Sequence, residues 1–159
     1  MKLYHGSNVF INKPDFLFSK SYKDFGHGFY LSDTYEQAHS LAIQKARQTN
    51  GEPVVTEFEF DDSVLSSNIL NVKIFNNYSE EWAQFILDNR DIEKLQPVHS
   101  YDIVYGPIAD DGVVFQLRRY QRGVIKSLAE LIDEIRYEKG ITFQYYFGTE
   151  KALKTLTRL

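Results

Sequence analysis

The chain has 159 residues, enough for one domain with its own core. Hydrophobic residues make up 43% and charged residues 25%, an ordinary balance for a soluble globular protein, and a formal charge of −4 argues against a broadly basic surface for nonspecific nucleic-acid binding. The absence of cysteine excludes a disulfide scaffold, a thiolate metal site and a cysteine nucleophile, and it fits a reducing, cytoplasmic setting.

In chain order, Lys2 to His5 reads as a short strand ending in a turn at Gly6-Ser7. Residues 8 to 24 lack periodicity and read as a long loop, a feature that often covers a site. Gly28 to Ser32 reads as a strand. A helix follows, with Thr34 and Gln37 as a capping box, Ala38, Leu41, Ala42 and Ala46 along one face, and Asn50-Gly51 as its stop. Val54 to Phe60 alternates as a strand, and Ile69 to Val72 suggests another short one.

Ser79 caps the next helix, whose buried stripe is Trp82, Phe85 and Ile86. Tyr101 to Tyr105 reads as a buried strand closed by Gly106-Pro107, and Val113 to Gln121 as a helix after a turn at Asp110-Asp111-Gly112. Ser127 and Glu130 form a second capping box before Leu128, Leu131, Ile132 and Ile135, with Gly140 as the stop. Ile141 to Phe147 alternates again, with Thr142, Gln144 and Tyr146 on one face. Thr149 caps a terminal helix holding Ala152, Leu153 and Leu156 inside. Short strands mixed with peripheral helices predict a single α+β domain over 1–159. No apolar run is long enough for a signal peptide or a bilayer span, so no membrane association is expected.

The candidate chemistry lies in His5-Gly6-Ser7, in Gly26-His27-Gly28-Phe29-Tyr30 and in Gln144. Cleaving a nicotinamide–ribose bond needs no strong acid, because the leaving group is already cationic. It needs a grip on the ring, a hold on the ribose and a polar group where positive charge develops. His5 supplies an imidazole for a ribose hydroxyl, Gly6 an approachable backbone and Tyr30 a ring for stacking. Gln144 is the polar candidate on the last strand. Each residue alone is more often structural, and Gly26-His27-Gly28 lacks the full dinucleotide fingerprint. The histidines show no metal spacing, so no metal site is expected.

At these residues, and at Glu81-Trp82-Ala83-Gln84-Phe85-Ile86-Leu87-Asp88-Asn89-Arg90, Tyr101-Asp102-Ile103-Val104-Tyr105-Gly106-Pro107-Ile108-Ala109-Asp110-Asp111 and Gln144-Tyr145-Tyr146-Phe147-Gly148-Thr149, the chain resembles a bacterial family of ADP-ribosyltransferase-like proteins, the DUF3990 group. The resemblance covers nearly the whole chain. It implies a split core of two small, roughly perpendicular β-sheets gripping NAD as ADP-ribose donor. It implies a catalytic set of His5, Tyr30 and Gln144, with Gly6, Ser7 and Gly28 at the NAD and Leu41 where a second aromatic often completes the nicotinamide sandwich.

Gln144 departs from the usual glutamate. Gln keeps hydrogen-bonding geometry but carries no negative charge. Glu138 and Glu150 are the carboxylates nearby in sequence, and Lys13, Lys20 and Lys23 are candidates for the pyrophosphate. The implied function is mono-ADP-ribosylation of an intracellular protein or nucleic acid, by a toxin restrained by an antitoxin protein. The alternative is a catalytically weakened module that binds NAD, ADP-ribose or a partner. An RNA 2′-phosphotransferase-like activity is disfavoured, because Tyr30 and Gln144 do not match its residue set.

Overall fold

The computed structural model describes residues 1–136 and 140–159, and Glu138 lies outside them. Among the described residues seven strands and five α-helices form a mixed α+β fold with two small sheets. Strands β1 (Lys2–Ser7), β3 (Val54–Phe60) and β7 (Leu156–Arg158) make an antiparallel three-stranded sheet in the order β1-β3-β7. Strands β2 (Phe29–Leu31), β4 (Val72–Ile74), β5 (Ile103–Pro107) and β6 (Phe143–Phe147) make the second sheet, in the order β2-β6-β5-β4, with β4 parallel to β5.

A backbone bridge stitches the two sheets. Tyr4 and Ser32 exchange both backbone hydrogen bonds, each 2.8 Å. Strand alternation then sorts the aromatics into two cores. Leu3 and Phe58 from the first sheet pack with Phe29, Leu31, Ile103, Tyr145 and Phe147 from the second. On the other face of the second sheet, Val104 and Tyr146 meet helices α2 (Glu80–Arg90), α3 (Asp111–Gln121) and α4 (Leu128–Arg136), through Trp82, Ile86, Val113, Leu117, Leu131 and Ile135. Tyr30 and Gln144 belong to this helix-covered face, as the two-residue repeat requires.

Helix α1 (Tyr35–Thr49) lies on the far side of the first sheet and buries a stripe of Ala38, Ala42 and Ala46. Small residues allow close approach: a Cβ on Gly6 would sit 1.9 Å from the Ala38 carbonyl oxygen.

Several local expectations hold. Ser79 Oγ accepts from Trp82 N–H (3.0 Å), Ser127 Oγ from Glu130 N–H (3.1 Å) and Thr149 Oγ1 from Ala152 N–H (3.2 Å). Others are corrected. Thr34 makes no side-chain cap; Gln37 instead donates to the Phe143 carbonyl (3.2 Å), tying α1 to the approach of β6. β1 runs on through Gly6-Ser7, because Gly6 and Ser7 pair with Val55 and Val54. The turn at 110–112 is a helix start, where Asp110 Oδ1 accepts from Val113 N–H at 2.9 Å. The strand expected over 69–72 is displaced to 72–74 by its parallel register with Ile103–Tyr105. The terminal helix α5 stops at Leu153 (Glu150–Leu153), and Leu156 joins β7 opposite Phe60, because the free edge of β3 offers a ladder.

Among the described residues no helix is long and apolar enough to cross a membrane. Gly6→Ala is expected to lower unfolding free energy by about 3 kcal/mol or more, because the clash is with helix backbone. Urea denaturation checks this; a loss under about 0.5 kcal/mol contradicts the packing described.

Candidate functional site

The site grows from the stitch between the sheets. In an antiparallel ladder successive residues direct their N–H and C=O to opposite sides. Tyr4 spends both groups on Ser32, so Gly6, two residues on, points its own pair off the same edge of β1. The Gly6 carbonyl there accepts from Lys45 Nζ on α1, at 2.8 Å.

His5 faces the inter-sheet core, stacked on Phe29 with ring centroids 4.5 Å apart. Its Nδ1–H donates to the Tyr30 carbonyl at 2.8 Å, which fixes the tautomer and leaves Nε2 as an acceptor. Burial, and then the nearby Lys45 charge, push its pKa down to about 4 against the opposing Tyr30 bond, with Lys23 adding to the depression. His5 is therefore a neutral imidazole at physiological pH. Among the described residues no buried side-chain polar atom lacks a partner, and Nε2 takes no hydrogen bond from the protein, so it reaches solvent.

Tyr30 projects to the helix-covered face. Its hydroxyl donates to the Gly26 carbonyl (2.7 Å) and accepts from Phe25 N–H (3.0 Å). Burial, reinforced by the Asp24 charge, raises its pKa well above the ordinary tyrosine value, so the phenol stays protonated. Phe25 and Tyr146 flank the ring at 6.3 and 5.4 Å between centroids. The Lys23 ammonium lies over it, 4.2 Å from the centroid. A flat ligand stacking on that face takes the place of Lys23.

Gln144 is buried, 9% exposed, against the usual expectation for a polar residue on a strand. The reason lies 120 positions away in the chain. Its Nε2 donates to Asp24 Oδ2 at 3.0 Å. Asp24 also accepts from Ala109 N–H (2.9 Å) and, through Oδ1, from Arg90 Nη1 (2.8 Å). A carboxylate accepts only, so the Gln144 amide nitrogen must face Asp24 and Oε1 the other way. Oε1 takes no hydrogen bond from the protein and, by the same reasoning as for His5 Nε2, reaches solvent. A glutamate here would set a second carboxylate against Asp24, a pair that cannot both stay ionised cheaply. The electrostatics thus favour Gln over Glu.

The His5 imidazole meets the Tyr30 backbone carbonyl, whereas Gln144 shares the sheet face of the Tyr30 ring, two residues before Tyr146, the cross-strand partner of Tyr30. Of the other predicted residues, Ser7 is buried, and its Oγ accepts from Val9 N–H at 3.4 Å. Gly28 has a packing reason: a Cβ would lie 2.2 Å from Tyr146 Cε2. Leu41 is 43% exposed, which corrects its place in the helix's core stripe. It sits one turn before Lys45, on the same face. Glu150 opens α5 and takes no part here.

Asp24, Arg90 and Lys45 were missed from sequence. Arg90 and Ala109 lie within segments that carry the family resemblance, and no periodicity marks them or Asp24. A shallow cleft of about 530 Å³ opens elsewhere, lined by Asn71, Asp102, Lys151 and neighbours, and it contains none of the predicted site residues.

The DUF3990 family model, described as a protein of unknown function, matches residues 1–157. No curated protein and no solved structure matches the chain.

Two predictions follow from the charges. Gln144→Glu is expected to destabilise the fold by about 2 kcal/mol at pH 7. The penalty should shrink toward pH 5, because the introduced carboxyl has a raised folded-state pKa and stability falls as pH climbs through it. Denaturation at both pH values tests this, and equal stability to the parent at pH 7 would contradict the Asp24 contact. His5 titrates near 6.5 unfolded and about 4 folded, so its contribution is complete above pH 6.5 and is lost as pH falls toward 4. That loss is on the order of 2–3 kcal/mol. His5→Asn, which can still donate to the Tyr30 carbonyl, should show a shallower decline over this interval in parallel denaturation curves.

Proposed function

The chain belongs to the DUF3990 family, and we propose that it is an NAD-dependent mono-ADP-ribosyltransferase with an ADP-ribosyltransferase-like split-sheet core. The observation that carries this reading is the bond from His5 Nδ1–H to the Tyr30 backbone carbonyl where β1 meets β2, with Gln144 on the same sheet face as the Tyr30 ring and with His5 Nε2 and Gln144 Oε1 both open as acceptors. Such acceptors suit sugar hydroxyls. The Gly6 backbone, directed off the edge of β1, suits a carboxamide, and the Tyr30 ring already holds a cation at 4.2 Å, as a pyridinium stack requires. These residues therefore fit NAD.

In the proposed reaction nicotinamide leaves with the bonding pair of the ribose–nitrogen bond. A lone pair of the acceptor forms the new bond to ribose, and the acceptor's proton is released. Tyr30 and Gly6 hold the leaving group, while His5 Nε2 and Gln144 Oε1 hold the sugar. Gln144 opposes the developing positive charge with a dipole instead of a full charge, and Asp24 keeps that dipole aimed. The acceptor is an intracellular protein or nucleic acid, and the resemblance extends the proposal to a toxin countered by an antitoxin protein.

A second reading is a module that binds ADP-ribose or NAD without turnover. The uncharged Gln144 favours it, as do the Lys23 and Lys45 ammonium groups around the place a pyridinium would take.

Purified protein incubated with labelled NAD and a cell lysate is expected to release nicotinamide and label macromolecules. His5→Ala should reduce release roughly hundredfold. Binding without release of nicotinamide supports the module instead, and neither binding nor release overturns both readings. Growth arrest on expression, relieved by Tyr30→Ala, is the expected outcome for the toxin role.

A further inference from the structure

Three lysines gather around the His5–Tyr30 junction without an anionic partner. Lys45 comes from α1 and is anchored by its bond to the Gly6 carbonyl, 2.8 Å long. Lys23 comes from the loop before β2 and rests over the Tyr30 ring. Lys20 follows Ser19, whose hydroxyl donates to the Gly28 carbonyl and accepts from Gly28 N–H, so the loop is pinned to the start of β2. The His5–Tyr30 bond ties the Gly6 edge to the backbone of the residue whose ring carries Lys23, and His5 feels the charges of both Lys45 and Lys23.

Among the described residues no carboxylate lies within 4.0 Å of any of the three ammonium groups. The carboxylate that Lys23 does sense, Asp24, is committed to Arg90, Ala109 N–H and Gln144. Clustered cations without counterions repel one another, and the repulsion is felt: burial, then Lys23 and Lys20, push the Lys45 pKa down to about 8. A folded chain tolerates such a cluster where an anion completes it.

We propose that Lys20, Lys23 and Lys45 form a binding site for a diphosphate group, beside Gly6, His5 and Tyr30. Its ligand class is a nucleoside diphosphate sugar or dinucleotide. The choice of that class rests on the transferase reading above, whereas anion binding itself does not. Lys45 contributes a fixed point charge at the β1 edge. Lys23 and Lys20 contribute donors from the loop, and Lys23 exchanges its ring contact for a phosphate oxygen when a planar group takes its place on Tyr30. The seventeen-residue stretch from 8 to 24, which has no regular element beyond one 3-10 turn at Phe16–Phe18, thereby acquires a role as the carrier of two of the three charges.

Calorimetric titration of the full chain at low salt with inorganic diphosphate, ADP-ribose and nicotinamide riboside tests the site. Diphosphate and ADP-ribose are expected to bind, with affinity falling as salt rises. Both should weaken roughly tenfold or more in Lys45→Gln and in the double variant Lys20→Gln/Lys23→Gln. Lys45→Arg should retain binding, and nicotinamide riboside, a cation that lacks phosphate, should bind the lysine variants no more weakly than the parent. Circular dichroism confirms folding, and the exposed Lys20/Lys23 pair keeps the test intact should the Lys45 variant unfold. No diphosphate binding at millimolar concentration, or equal affinity in the parent and the folded lysine variants, overturns the proposal. Lysine-dependent diphosphate binding without any NAD cleavage upholds the anion site while the transferase reading fails. NAD cleavage that is indifferent to the lysines does the reverse.

Discussion

One buried carboxylate holds the working end of this protein together. Asp24 is 8% exposed and receives three hydrogen bonds from segments 66, 85 and 120 residues away: Arg90 on α2, the Ala109 amide before α3 and Gln144 on β6. Burying an ion without partners is prohibitive; burying one with a guanidinium and two further donors is affordable, and removing a single partner leaves an uncompensated charge. The same anchor explains the neighbouring backbone. Phe25, fully buried in the helix-side core, follows directly, and Gly26 takes a φ of +96° before the chain enters β2. His99 Nε2–H donates to the Phe25 carbonyl at 2.7 Å, closing the other side of this turn. Tyr30 is aimed by what Asp24 pins, because its hydroxyl bonds to Phe25 and Gly26.

The charges around Tyr30 fall into two regimes. On the Gln144 side the Asp24 charge is neutralised by Arg90, and the group left for a ligand is an amide oxygen. On the Gly6 side the cations Lys23 and Lys45 stand, among the described residues, without a carboxylate within 4.0 Å, around an imidazole kept neutral by burial. Acceptors for hydroxyl groups thus lie beside donors for anions. This is a division of labour suited to a sugar carrying phosphate, and it also accounts for glutamine on β6: negative charge at that point is already supplied by Asp24 and cannot be doubled at low cost.

How much was legible depended on whether the cause was local. The Ser79 and Thr149 caps are decided within a few residues of chain and appear as read, and of the alternation read over Ile141 to Phe147 the strand takes Phe143–Phe147. The helix expected over Val113 to Gln121 runs Asp111–Gln121, and Asp110, expected in a turn, is its cap. Gln37 was read as a cap because Thr34 stands three residues earlier, yet its amide is taken by the Phe143 carbonyl 106 residues on. Gly6 and Gly28 were read as openings for a ligand; each also has a packing cause, in the Ala38 carbonyl and the Tyr146 ring.

The amino-acid sequence by itself determined the α+β character, most element positions, and the family with its candidate histidine, tyrosine and glutamine. These follow from periodicity, capping chemistry and motif order, which are properties of neighbouring residues. Tertiary structure alone decided that β4 begins at Val72, that Leu156 ends in a strand, that Leu41 faces solvent and that Gln144 is buried against Asp24. Each of those outcomes depends on a partner brought in from far along the chain. A free sheet edge, a parallel register or a buried carboxylate exerts its influence only after the chain has folded back upon itself.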